Sequence, residues 1–213
     1  MRWLTYEPAV HGSVRSFCSY YPPSRVFPHR TPSQVAGISL ESKRPLWHRD
    51  SDELDGAIEA ASHLRQNFEL QPGGSREGAE AVLKQIHEVA SDVGCAVGKW
   101  MLFLDEQAAD EAWSQIAQAT YDGSLGSSST KIGRTQYQDR FLICVYHHNY
   151  EDEASIGQLL EKLRRLDIDP AYTQDISFKA DIMTYCGIYS GWYPGADLCC
   201  WRSRYGPCSW QPL

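Results

Sequence analysis

The sequence predicts an α+β fold: one curved, mostly antiparallel sheet with helices packed on its convex face. Three observations predict it. Apolar strand-like runs at Lys99–Leu104 and Phe141–Tyr146 alternate along the chain with segments of helical spacing. The polar turn Arg134–Arg140 joins Ser128–Gly133 to Phe141–Tyr146, as between antiparallel neighbours. The chain has 213 residues, 42% of them hydrophobic and 12% aromatic, enough for one real core.

The elements follow in order. Residues 1–33 form an N-terminal arm rich in Pro, Ser, Tyr and Arg. Within it, Tyr20-Tyr21-Pro22-Pro23-Ser24-Arg25-Val26 favours extended or polyproline geometry. Its aromatics, Trp3, Phe17, Tyr20, Tyr21 and Phe27, give the arm reason to lie along the domain rather than stay disordered. The folded domain then spans 34–190. Gln34–Leu40 reads as the first strand, and Glu41–Arg49 as a polar loop carrying Trp47. Asp50, Ser51 or Asp52 caps a helix that runs to Asn67. Gln71-Pro72-Gly73-Gly74-Ser75 is a loop, and a second helix covers Glu77–Val89 with Val82, Ile86 and Val89 on one face.

Lys99–Leu104 reads as a fully buried strand. Ala108–Tyr121 is a helix that turns Trp113, Ile116, Ala117 and Thr120 to the sheet, and Gly123 stops it. Glu151–Leu166 is a helix with Ile156, Leu159, Leu160 and Leu163 inward. Its acidic start and its basic end, Lys162, Arg164 and Arg165, suit the helix dipole. Thr173–Phe178 and Thr184–Tyr189 are the last predicted strands. Residues 191–213 form a tail rich in aromatics and cysteine that packs on the domain.

Bulk properties exclude several functions. No apolar run is long enough to span a bilayer, and the N-terminus lacks the apolar region of a signal peptide, so a cytosolic or nuclear protein with no membrane partner is expected. Net charge is −7. Residues 1–126 hold 11 basic and 17 acidic side chains, and residues 127–213 hold 9 and 10. An electrostatic stripe along a polynucleotide is therefore disfavoured, whereas a local basic groove in the second part is compatible. The seven cysteines, odd in number and without a Cys-x-x-Cys pair, read as reduced thiols. Cys186, Cys199, Cys200 and Cys208 lack the spacing of the common structural zinc sites, so no metal or cofactor is expected. His147 and His148 follow a strand and read as turn residues, and Cys144 reads as a buried, inert thiol. There is no nucleophile elbow, Walker loop or dinucleotide fingerprint, and no catalytic residue is assigned.

Several separate motifs stand in a recognisable order. They are Tyr21-Pro22-Pro23-Ser24-Arg25-Val26, Gly98-Lys99-Trp100, Ala112-Trp113 with Ile116-Ala117, Ile143-Cys144-Val145-Tyr146, Tyr185 and Gly187-Ile188-Tyr189. Together they resemble the basophilic-leukaemia-expressed protein family, a group of uncharacterised proteins (a DUF1917-type domain), over residues 20–190. Stretches 41–96 and 190–213 lie outside the shared pattern. The resemblance implies a fold similar to the cap-binding translation initiation factor of the 4E type. Gly98-Lys99-Trp100-Met101 is similar to that factor's Gly-Arg-Trp-Leu strand, Trp113 to its helix Trp, and Lys131 with Arg134 to its phosphate-gripping basic pair. Trp47 falls where one of the two cap-stacking Trp residues would stand, but the other position holds His87-Glu88, which argues against methylguanosine-cap binding. A shared fold does not by itself carry a shared ligand.

Three function classes follow. The leading one is a non-catalytic domain that binds RNA or a nucleotide-like phosphorylated ligand on the concave face of the sheet. Lys99, Lys131, Arg134 and Lys179 would contact phosphate, while Trp47, Tyr146 and Tyr185 would stack and Asp181 would read a base or ribose donor. Each has an ordinary reading beside it: a lysine stem covering apolar surface, solvated loop charges, a polar turn at Lys179-Ala180-Asp181, aromatics in the core. The second class is a scaffold that docks a protein partner on its convex helices or on the tail from Trp192 to Trp210. The third is an enzyme using Lys179, Asp181 and Tyr185 for acid–base work.

Overall fold

The computed structural model describes residues 2–27, 35–42, 51–135, 140–189, 191–194, 196 and 198–203. Its strands are β1 (Arg2–Thr5), β2 (Val35–Glu41), β3 (Gly98–Leu104), β4 (Ser129–Arg134), β5 (Phe141–His147), β6 (Ser177–Ala180) and β7 (Trp201–Arg202). They form one open sheet in the order β1-β2-β4-β5-β3-β6-β7. Only β1 and β2 run parallel; the other pairings are antiparallel. The α+β class and the mostly antiparallel sheet agree with the sequence reading.

The helices are α1 (Pro8–His11), α2 (Val14–Tyr20), α3 (Pro23–Val26), α4 (Ser51–Glu69), α5 (Arg76–Asp92), α6 (Glu106–Tyr121), α7 (Glu153–Arg164) and α8 (Asp181–Tyr185). The longer ones start where a side chain can satisfy their first free amides. Asp105 accepts from the Ala108 amide at 3.1 Å, Asp152 from Ser155 at 3.1 Å and Ser75 from Gly78 at 3.1 Å. Helix α6 turns Ala109, Ala112, Trp113, Ile116, Ala117 and Thr120 inward, and α7 turns in Ile156, Leu159, Leu160 and Leu163. These stripes meet Ile38, Leu40, Ile132, Ile143, Val145, Trp100 and Phe178 from one face of the sheet in a single buried cluster. Trp100 stands edge-on to Phe178 with ring centres 5.3 Å apart.

The strand pleat sorts β3 more finely than predicted. Trp100, Leu102 and Leu104 are fully buried, while Met101 is half-buried and Phe103 is 42% exposed. The strand is thus buried on both faces at its start but open on one face toward its end, because helices cover only the Trp100 side there.

Two segments differ from expectation. The N-terminal arm is not polyproline: it folds into β1 and three short helices. Ser13 caps α2, and Ser24 bonds Asp110 of α6 through both its amide and its hydroxyl. Phe17, Phe27, Tyr6 and Val14 are buried there, and burying them outweighs the local preference of the Pro pair. The last predicted strands shift as well. The strand at 173–178 is observed at Ser177–Ala180, and 184–189 is not a strand. The chain turns into α8 at Asp181, whose amide bonds the Val97 carbonyl at 2.8 Å, and the tail supplies β7 beside β6 in its place.

Helices α4 and α5 pair with each other and close on α8. Arg65 donates to the Cys186 carbonyl, and Tyr193 of the tail donates to the Gly74 carbonyl. Trp192 donates to Glu69 at 2.7 Å, and its ring lies 5.5 Å from Phe68. Trp201 is buried. These tail rings are thus engaged inside the protein. Trp210 lies outside the described residues.

Gly98 opens β3 because Phe178 fills the space above it. A Cβ there would stand within 2.6 Å of two Phe178 ring carbons and 3.2 Å from the Lys179 carbonyl oxygen. Gly98→Ala should cost about 2 kcal/mol of stability, read as a lowered denaturation midpoint at unchanged m-value.

His87 on α5 is half-buried edge-on to Tyr150, with ring centres 5.3 Å apart, and the loss of water around its ring lowers its pKa to about 4. The unfolded imidazole titrates near 6.5, so below that pH the unfolded state binds a proton that the folded state excludes. Stability is therefore retained above pH 6.5 and is lost as pH falls from 6.5 to 4, by up to about 3 kcal/mol. His87→Phe should flatten that slope in urea melts taken between pH 7 and pH 4.

Candidate anion site on the lysine face

Opposite the helix-covered face, the register places one row of side chains across four strands. Lys179 of β6 stands opposite Lys99 of β3, Lys99 opposite Tyr146 of β5, and Tyr146 opposite Ser129 of β4. The next row holds Met101, Cys144, Lys131 and Ser39. Partners opposite each other in antiparallel strands share a face, so the pleat alone gathers three lysines around Tyr146 and Cys144.

Each lysine has a different environment. Lys99 is 4% exposed; its ammonium forms an ion pair with Asp181 and donates to the Thr184 hydroxyl at 2.8 Å. Lys179 is 6% exposed and donates to the Ile188 carbonyl at 2.6 Å. Burial lowers its pKa to about 8, and the charge of Lys99 pushes in the same direction. Lys131 is half-buried and, among the described residues, has no carboxylate partner. Its ammonium lies 4.9 Å from the Tyr146 ring centre and 5.4 Å from that of Trp3. The Lys179 ammonium lies 4.7 Å from the Tyr189 ring centre. Three ammonium groups and one carboxylate leave two positive charges in excess.

Cys144 sits between them. Burial pushes its thiol up to about 11, against the opposite pull of the three lysines. It stays protonated at neutral pH, which agrees with the inert thiol read from sequence.

The structure therefore brings together five of the eight residues singled out: Lys99, Lys131, Lys179, Tyr146 and Asp181. Asp181 is held by Lys99 at the start of α8. Arg134 is not among them. It lies three residues beyond Lys131, and odd spacing on a strand turns a side chain to the other face. Its guanidinium bonds Glu106 of α6 at 2.7 Å and covers the Phe141 ring at 4.8 Å. Tyr185 is on α8, one turn beyond Asp181 and 40% exposed, and not on a strand as predicted. Trp47 lies outside the described residues.

Sequence reasoning missed Trp3, Thr184 and Tyr189. Strand β1 has four residues, too few for a readable alternation, and it joins the sheet by pairing with a strand more than thirty positions away. Thr184 faces Lys99 only because the segment is helical, where residues i and i+3 share a side.

With the fold and this cluster described, one comparison bears on what the chain is. The family described as basophilic leukemia-expressed protein Bles03 matches residues 49–187, well over half of the chain. The chain belongs to that family. The matched span includes the α4–α5 hairpin, which the motif resemblance had left outside, and takes in Lys99, Lys131, Lys179, Tyr146 and Asp181. No helix among the described residues is long and apolar enough to cross a membrane.

Removing one partner of a buried ion pair strands the other charge. Asp181→Ala should therefore destabilise the protein by about 3–5 kcal/mol in urea unfolding at pH 7, and the double variant with Lys99→Met should recover much of that loss.

Proposed function

We propose that the protein is a non-catalytic binding domain whose lysine face takes a phosphorylated, nucleotide-like ligand. One observation carries the reading: two ammonium groups in excess of carboxylate, on and beneath a surface flanked by Tyr146, Trp3 and Tyr189. Lys179 is nearly inaccessible, has a neutral carbonyl as its partner and faces a second lysine on the adjacent strand. Like charges directly opposite on paired strands are destabilising, and a bound anion would relieve that. Each ammonium has three donors, so Lys179 keeps two beyond the bond to Ile188. A phosphate offers acceptors of matching charge, and the rings offer a flat neighbour to whatever carries it.

The likeness to cap-binding initiation factors is part of this proposal. The open, mostly antiparallel sheet with α6 and α7 on one face supports it, and so does the place of Gly98-Lys99-Trp100 on an interior strand. Methylguanosine is not the ligand this site suggests, because position 87 is a half-buried histidine on α5, packed edge-on to Tyr150 rather than offered to a base. Acid–base catalysis is disfavoured because Asp181 is committed to Lys99 and Lys179 to a carbonyl. Docking through the tail is disfavoured for Trp201, which is buried, and for Trp192, which is half-buried and bonded to Glu69.

Calorimetric titration with inorganic pyrophosphate, nucleoside diphosphates and short RNAs tests the reading. Saturable binding is expected, weakened about tenfold by Lys131→Ala, the worth of one charge-assisted hydrogen bond. Binding should favour the charged form of Lys179, so affinity should fall as pH rises above about 8, where the free ammonium loses its proton. Absence of saturation by any of these probes at millimolar concentration removes the proposal.

A further inference from the structure

The N-terminal strand places a flat ring at the edge of the lysine face. Trp3 of β1 pairs with Gly37 of β2, and its indole lies on that glycine: a Cβ there would come within 2.9 Å of three ring carbons. Gly37 thus lets the ring lie down on the sheet, and the ring in turn covers the bare glycine backbone. That contact accounts for the inner face of the indole. The residue is still 46% exposed, an unusual state for the largest apolar side chain at a site with a specific packing partner. Lys131 stands beside it, its ammonium 5.4 Å from the Trp3 ring centre and 4.9 Å from that of Tyr146. Ser39 faces Lys131, and its hydroxyl bonds that of Thr5 at 3.0 Å.

We infer that Trp3 is the stacking platform for the base of a nucleotide whose phosphates run from Lys131 toward Lys99 and Lys179. This rests on the phosphate-binding reading above and adds the class of ligand: a nucleoside 5′-phosphate, not a bare polyphosphate. The chemistry fits in both parts. Every base has a π face, so a flat exposed indole accepts one without a matching set of hydrogen bonds. The Lys131 ammonium, 5.4 Å from the ring centre, is close enough to the platform to meet the 5′-phosphate of a stacked nucleoside. Lys99 and Lys179, buried in the adjacent row, then act on the charge beyond it from beneath the surface. The net charge of −7 over the whole chain works against a long polyanion and leaves a short ligand held by local charge.

The test compares ADP, GDP and inorganic pyrophosphate on the full chain by calorimetry, in wild type, Trp3→Ala, Trp3→Leu and Trp3→Phe. Trp3→Leu keeps an apolar cover over Gly37 but removes the aromatic face, so it separates stacking from folding; thermal melts of each variant check the fold. In wild type the nucleoside diphosphates should bind about tenfold more tightly than pyrophosphate. Trp3→Leu and Trp3→Ala should abolish that advantage and leave pyrophosphate affinity unchanged, while Trp3→Phe keeps most of it. Wild-type affinity of Trp3→Leu for ADP and GDP overturns this inference and leaves the anion site standing. Equal binding of nucleotide and pyrophosphate by wild type does the same. Failure of wild type to bind pyrophosphate or nucleotide removes both.

Discussion

The ion pair between Lys99 and Asp181 ties the interior strand β3 to α8, and the organisation of the lysine face depends on it. Both groups are nearly inaccessible, so their desolvation cancels much of what their attraction returns. Such a pair is weak as a source of stability yet costly to break from one side. Its geometry does something else: it fixes Asp181 at the start of α8 and brings Thr184 onto the same ammonium. With the one carboxylate that the described residues bring to this cluster committed to Lys99, Lys179 and Lys131 are left in excess. The depressed pKa of Lys179 comes first from burial and then from the Lys99 charge, with the Asp181 carboxylate pulling the other way.

Behind this face stands a core that does not yield. Trp100, Trp113, Phe141 and Phe178 are fully buried, and the α6 and α7 stripes interdigitate with them. Close packing of this kind transmits little freedom to the strands, so Lys99, Tyr146 and Lys179 sit on rigid elements rather than on loops. Pre-set positions lower the ordering cost of binding a small anion. Trp3 is different in kind. It belongs to an edge strand of four residues, held by β2 and by the helices that follow it, and it completes the face from outside the span shared with the family. The cationic row and the aromatic edge are thus built by separate parts of the chain.

Much of the architecture was legible because it is periodic. The spacing of apolar residues located α4, α5, α6 and α7 to within a few positions, and it located β2, β3, β4 and β5 nearly to the residue, since the core demands one face from each. Short elements were illegible for the same reason. In 181–185 and 201–202 too few residues repeat, and the choice between strand and helix fell to long-range partners: Val97 for the amide of Asp181, and β6 for the tail. The polyproline reading of the arm failed because local preference, worth tenths of a kcal/mol per residue, competed with burial of Phe17 and Phe27.

The candidate site divides along the same line. Composition and pattern alone determined that lysines and aromatics alternate with core residues on adjacent strands. Once strands pair, the period-two pleat carries Lys99, Lys131, Lys179 and Tyr146 to one face and Arg134 to the other. What only the tertiary structure decided is which charges cancel. Asp181 meets Lys99 across 82 positions of sequence, Glu106 claims Arg134, and Trp3 reaches Lys131 from the opposite end of the chain. Charge compensation depends on distance in space and on exclusion of water, and neither is written in the spacing of residues along a chain.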